Sequence, residues 1–219
     1  MIMEEENNKI AKGFDRDIDY LTIKQKLLKN LDELCEKLQK KQTGYEIACT
    51  HNQIAYVIVA LIQLKNGSRI SEACSAFRIF LKEFVKNKDF NEKVVVKIAK
   101  SAGVKYNWQT KNKKISKARF RKMAFPTWIN KKFIDIIVDS EAISILVISK
   151  RLKKRVLDYL LRYFNCNTHS LRYACINYLL NEQKLQMNIV AKFVGHTNVS
   201  QLVTYTQTKN TDKIFDLDI

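Results

Sequence analysis

The stretch Thr168-His169-Ser170-Leu171-Arg172, with Gly195-His196-Thr197-Asn198-Val199-Ser200-Gln201-Leu202-Val203-Thr204-Tyr205 downstream of it, decides how the rest of the chain is read. His169 and Arg172 are three apart, so on a helix they share a face, one turn from each other. Thr168 is placed to cap that helix, which puts both side chains near a helix start, where the macrodipole favours negative charge. Gly195 follows the apolar run Met187, Ile189, Val190, Phe193 and Val194 and reads as a helix stop. Asn198 then caps a short amphipathic helix carrying Val199, Leu202 and Val203, with Tyr205 near its end. Two histidines, an arginine and a tyrosine so arranged suit a phosphodiester better than any other common substrate.

Upstream stands Gly67-Ser68-Arg69-Ile70-Ser71-Glu72. Asn66-Gly67 ends an apolar helix. Ser68 is placed to cap the next, with Arg69 on its first turn and Ile70, Ala73, Cys74, Phe77, Leu81 and Phe84 on its buried face. Taken alone, Arg69 reads as half of a surface ion pair with Glu72. The downstream stretch changes that reading. His169-Ser-Leu-Arg172, Gly195-His196 and Tyr205, nine residues beyond His196, resemble the second motif box of the tyrosine recombinases, the phage-integrase and Xer family, including its archaeal and viral integrases. The family's other arginine lies in a Gly-x-Arg-x-Ser-Glu context, and Arg69 precedes His169 by one hundred positions.

The resemblance implies a mainly α fold with a small antiparallel β-sheet, and a catalytic set of Arg69, Lys117, His169, Arg172, His196 and Tyr205. A phenol with a pKa of about 10 is a poor nucleophile until its proton is taken and the phosphate charge is clamped. Arg69 and Arg172 would grip the non-bridging oxygens, a bidentate task that lysine performs poorly. His169 would act as base or hydrogen-bond partner, and His196 would orient the phosphate or the leaving group. A hairpin lysine would protonate the departing 5′ oxygen. The implied product is a 3′-phosphotyrosine at Tyr205, formed without water, metal, nucleotide or other cofactor. For the lysine, Lys117 fits best; Lys111 follows, and Lys100 moves up if residues 93–100 form a strand. The implied partner is double-stranded DNA, with a homotetramer expected on two duplexes and a monomer expected free in solution.

Charge points the same way. The formal net charge of +17 is far from balanced for 219 residues, and a polyanion is the first candidate partner. No apolar run reads as long enough for a membrane span, and the acidic N-terminus lacks a signal-peptide core, so a cytoplasmic protein is expected. The five cysteines are odd in number and form no C-x-x-C pair, which fits free thiols. Cys166, three residues before His169, has no base-and-orienter pattern to make it a nucleophile. A zinc site from His169, His196 and Cys166 lacks ligand spacing.

Along the chain, residues 1–16 are polar and expected to fray, and 17–41 carry a leucine stripe that fits a docking helix. Thr50 is placed to cap a helix that is apolar almost all round. Residues 91–102 fit a strand or a helix, and the helix, ended by Gly103, is the preferred reading. Val104–Trp108 and Ala118–Phe125 read as two strands joined by the basic turn Thr110–Ser116. Residues 111–122 hold seven Lys or Arg and no acid, which would project charge at a nucleic-acid backbone. Pro126-Thr127 starts a helix containing Trp128, Phe133, Ile136 and Ile137. Residues 141–164 read as another helix, exposing Lys150–Arg155 to solvent or to phosphates. The tail's apolar end, Ile214, Phe215 and Leu217, fits docking on a neighbouring protomer.

The reading divides the chain into an N-terminal helical extension, 1–45, and a catalytic domain, 46–219. Family members usually carry a larger N-terminal domain that clamps DNA, so either a reduced clamp or a catalytic piece is expected here. Two rivals stand beside the recombinase. A type IB topoisomerase would share the phosphotyrosine chemistry but relax supercoils without recombinant products. An inactive basic DNA-binding protein would have no use for a tyrosine placed after Gly195-His196.

Overall fold

A computed structural model of the chain describes residues 18–40, 42–87, 93–99, 103–107, 112–138, 140–141, 143, 151–196, 199–200 and 202; for 103–107 and 112–116 it describes the backbone. The expected fraying of 1–16, the expected turn at 110–111, the expected cap at Asn198, the expected nucleophile Tyr205 and the C-terminal tail lie outside these residues. Helix α1 (Tyr20–Leu38) begins at Asp19, whose carboxylate accepts from Thr22 N at 2.7 Å. Its Ile23, Leu27, Leu31 and Leu34 recur at helical spacing and are all buried. Burial of each is worth about 1.5–3 kcal/mol, so tertiary contact more than helix propensity holds α1 in place. Its neighbours are α2 (Gly44–Asn66) and α6 (Thr168–Asn177). Tyr159 OH also donates to Asn30 at 2.7 Å.

Helix α2 is the axle of the fold. Thr43, not Thr50, caps it, in a box with Glu46: Thr43 N donates to the Glu46 carboxylate at 2.9 Å, and Glu46 N donates back to the Thr43 hydroxyl. Thr50, about two turns inside the helix, instead donates its hydroxyl to Glu46 O. From Ile54 to Leu64 every residue is buried, because α1, α3 (Ile70–Asn87), α5 (Leu152–Phe164) and α6 surround it. By length and composition α2 reaches what a bilayer span needs, contrary to the expectation from sequence. Here its apolar surface faces other helices.

The β arm corrects two expectations. Residues 93–97 form a strand, β1, not a helix. Val94 and Val96 are buried while Val95, which a helix would have turned inward, is 57% exposed. β1 pairs antiparallel with β4 (Phe120–Ala124), Val94 opposite Met123 and Val96 opposite Arg121. The segment between them forms its own antiparallel ladder, β2 (Gly103–Asn107) with β3 (Asn112–Ser116). The expected 104–108/118–125 hairpin is therefore two nested ladders, since the buried valines of β1 supply the apolar partner for Met123.

The turn after β4 is longer than expected. Ile129 N donates to Pro126 O, and α4 (Lys132–Val138) starts only after Asn130, whose side chain accepts from Lys132 N at 3.0 Å. An asparagine cap at 130 outcompetes the Pro-Thr start. Residues 141 and 143 are helical and 144–150 lie outside the described residues; α5 itself begins at Leu152. Helix α6 runs into a π-helical turn, Tyr178–Glu182, before α7 (Met187–Val194).

Candidate active site

Arg69 is delivered by the way α2 ends. Gly67 adopts φ 52°, Gly67 N donates to Leu64 O, and Ser68 N reaches back to Gln63 O at 3.2 Å, the paired bonds of a Schellman turn. Glycine is required twice over at this point. The left-handed backbone penalises any Cβ, and an added Cβ would stand 2.9 Å from Val194 Cγ1 and 3.1 Å from Cys175 Sγ. Arg69 then stands immediately before α3, one position earlier than expected, its carbonyl accepting from Glu72 N and Ala73 N. Glu72 closes the turn, accepting from Arg69 N at 3.4 Å.

Two polar side chains at the end of α2 tie this turn to the rest of the site. Asn66 Nδ2 donates to Ala124 O at 2.9 Å, and its Oδ1 accepts from Ala124 N at 2.8 Å, pinning the turn to β4. Gln63 Nε2 donates to Ser68 O at 3.0 Å and to Thr168 O at 2.7 Å. One buried amide thus joins the residue before Arg69 to the residue before His169.

Helix α6 carries His169 and Arg172. Its cap is Asn167, not Thr168: Asn167 Oδ1 accepts from His169 N at 2.7 Å and Ser170 N at 2.9 Å. Asparagine one position earlier leaves Thr168 as the first helical residue. Arg172 is 1% exposed, the largest fully buried side chain among the described residues. Its Nη1 donates to Gly67 O and its Nη2 to Val194 O at 3.1 Å. These carbonyls end α2 and α7, so two helix C-termini hold the guanidinium where their dipoles favour a cation. Both carbonyls are neutral and orient the guanidinium.

Gly195, at φ 77°, ends α7 as the sequence predicts, with Gly195 N on Lys192 O and His196 N on Ala191 O at 2.8 Å. His196 thus leaves a second Schellman turn as Arg69 leaves the first. Beyond it Leu202 is fully buried against Val190 and Val194, anchoring the chain three residues short of Tyr205.

The four described residues come together. Burial pushes the His169 imidazole pKa down, and Arg172 and Arg69 add to the effect. His196 is lowered to about 4 by burial, then by Arg172, Arg69, His169 and Arg121. Both imidazoles are therefore neutral at neutral pH, able to accept a proton beside two fixed cations. His169 also meets the Tyr173 ring edge-on, with centroids 5.0 Å apart.

Glu72 and Arg121 were not anticipated in this role. Glu72 is buried and accepts from Arg69 Nη1 at 3.3 Å and from Ala99 N at 2.9 Å. The ion pair expected at the surface is internal on the glutamate side. Arg121, expected among charges projecting from the hairpin, is instead buried at 8% exposure, opposite Val96 on the inner face of β4. Period-two alternation with Met123 was its signal in sequence. For Gln63 and Asn66 the signal was a polar side chain inside a helix otherwise apolar all round.

The lysine stays undivided. Lys117 is exposed, and no hydrogen bond or ion pair joins it to the four among the described residues. Lys111 and Lys100 lie outside those residues. The backbone entering the excursion does reach the site, through Ala99 N on Glu72, and Ile98 N pairs with Arg119 O at 2.8 Å.

No protein-family model matches the chain, and no solved structure matches it. Three relatives do. A Sputnik virophage protein named a putative integrase is 50% identical over 96% of this chain and 92% of its own. An uncharacterized Methanocaldococcus jannaschii protein is 30% identical over 94% of this chain and 90% of its own. A putative integrase of Acidianus two-tailed virus is 30% identical over 92% of this chain and 67% of its own. With half its residues shared along nearly the full length of both, the chain belongs to the same family as the virophage's putative integrase.

Proposed function

We propose that this protein is a site-specific DNA integrase of the tyrosine-recombinase type, which cuts and rejoins DNA through a 3′-phosphotyrosine at Tyr205. The observation that carries the reading is the convergence of Arg69, His169, Arg172 and His196, from three helix ends, into one cluster with cationic guanidiniums and neutral imidazoles. A phosphodiester turning pentacoordinate gains charge on its non-bridging oxygens, and fixed guanidiniums then stabilise the transition state more than the ground state. The names of the virophage and archaeal-virus relatives support integration as the biological outcome.

In this reading the Tyr205 oxygen bonds to phosphorus and the phosphorus–5′-oxygen bond breaks. His169 takes or shares the phenolic proton. A lysine of the 99–119 excursion gives the 5′ oxygen its proton. The phosphoester energy is kept in the covalent link, and rejoining reverses the step. Duplex DNA is the substrate, and two duplexes held by four copies would permit exchange.

Covalent trapping tests this. The protein is incubated with nicked or phosphorothiolate-containing duplexes, denatured, and examined for a protein–DNA adduct beside Tyr205→Phe. An adduct lost in Tyr205→Phe supports the reading. Adducts with supercoil relaxation but no recombinant products would move it to a type IB topoisomerase. Salt-sensitive binding without any adduct would leave a DNA-binding protein that does not cut.

A further inference from the structure

Arg121 is the buried cation that no part of the proposed chemistry uses. Its Nη2 donates to Asn66 O at 2.5 Å, at the C-terminal turn of α2 that delivers Arg69. Its Nη1 stands 3.9 Å from Glu72 Oε2, while Glu72 Oε1 takes Arg69 Nη1 at 3.3 Å. Its guanidinium lies over the Phe193 ring, 5.7 Å from the centroid, and its Cδ would be 3.4 Å from a Cβ built on Gly195. One side chain therefore touches the turn before Arg69, the carboxylate that holds Arg69, and the turn before His196.

The charge arrangement gives that contact set a purpose. Among the described residues Glu72 is the acid of the cluster, and its side chain is wholly buried while that of Arg69 is 34% exposed. With one cation beside it, a buried carboxylate would pull Arg69 inward and cancel its charge. With two, the carboxylate is shared. Arg69 is then braced by Glu72 on one side and keeps net positive potential on its exposed side. A lysine could not reproduce this, because a point charge cannot bond Asn66 O and face Glu72 through two separately placed nitrogens.

We propose that Arg121 is a positioning residue: by sharing Glu72 and fixing the Asn66–Gly67 turn, it keeps the Arg69 guanidinium aimed outward and available to an anionic phosphate. This rests on reading the cluster as a phosphate site, and the test separates the two. Inorganic phosphate is titrated by calorimetry into the wild type, Arg121→Met, Arg121→Lys, Glu72→Gln and the double variant Glu72→Gln/Arg121→Met. Near-UV circular dichroism first confirms the folded fraction of each. Adduct formation on nicked duplex is then measured separately.

The expected result is a loss of phosphate affinity of roughly 10- to 100-fold in Arg121→Met, the scale typical of groups that orient a ligand-binding shell. Arg121→Lys should recover only part of it. When Glu72 is already glutamine, removing Arg121 should cost much less, because no carboxylate remains to capture Arg69. A structural role alone would give the same loss in both backgrounds, and that result overturns the proposal. So does the absence of saturable phosphate binding by the wild type. If phosphate binds with this pattern and no adduct forms, Arg121 positions Arg69 as proposed and the strand-cutting reading falls.

Discussion

Gln63 Nε2 lies 2.7 Å from Thr168 O, a hydrogen bond between residues 105 positions apart in the chain. It crosses the short gap between the turn that delivers Arg69 and the helix that delivers His169 and Arg172. The same nitrogen also holds Ser68 O, so the spacing between the two arginine-bearing segments is set by one amide.

Gln63→Leu keeps the helix and approximately keeps the volume but removes that nitrogen. Two carbonyls lose a buried donor, which should cost about 1–3 kcal/mol in chemical unfolding. If the strap sets the site, adduct formation should fall further than the loss of folded protein explains. An unchanged rate in the folded fraction would show that the gap is held by other contacts.

Gly67→Ala should be costly although it adds one methyl group. The left-handed backbone is penalised by about 1–2 kcal/mol for a residue with a Cβ, and Val194 and Cys175 must give way as well. A denaturant midpoint shift smaller than that of an alanine placed at exposed Gly44, where nothing stands within 4 Å, would contradict this.

His196 gives stability a pH dependence of definite sign. Its pKa falls from the ordinary 6.5 to about 4 on folding, so the unfolded chain binds the proton first as pH drops. The contribution is fully present above pH 6.5 and is lost as pH falls towards 4. The wild type should therefore lose more thermal stability across that window than His196→Gln. Titrated by NMR, the His196 imidazole should also move to higher pKa when phosphate is added, since the anion offsets Arg172 and Arg69.

Helix α5 turns Lys153, Lys154 and Arg155 to solvent while Leu152, Val156 and Leu160 are buried. If that face meets phosphates, Lys153→Gln with Lys154→Gln should weaken binding to all duplexes alike and reduce the salt slope of log K by about 2, near 0.9 per lost contact. An unaltered slope, measured by fluorescence anisotropy between low and moderate salt, would mark the face as merely solvated.

Much of the local structure was legible because it depends on neighbours in sequence. The leucine stripe that buries Leu27, Leu31 and Leu34, the stops at Gly67 and Gly195, and the three-residue spacing of His169 and Arg172 each follow from helix geometry and glycine's freedom at positive φ. The caps were legible in kind but shifted in place. Thr43 displaced Thr50 and Asn167 displaced Thr168, because several capping residues stood close together and the better-placed one won. Strand pairing was not legible. Whether residues 93–97 meet 120–124 or curl into a helix depends on a partner distant in sequence, and alternation alone fitted both.

The amino-acid order by itself thus determined the long helices α1, α2 and α3, the helix stops at Gly67 and Gly195, and which arginine and histidine types would stand beside those stops. Only the tertiary structure decided which charges are shared. That Glu72 serves both Arg69 and Arg121, and that Arg172 gathers the last carbonyls of two helices, depends on through-space distances between segments far apart in the chain. The strength of such contacts changes steeply with separation and burial, and neither quantity is written in residue spacing.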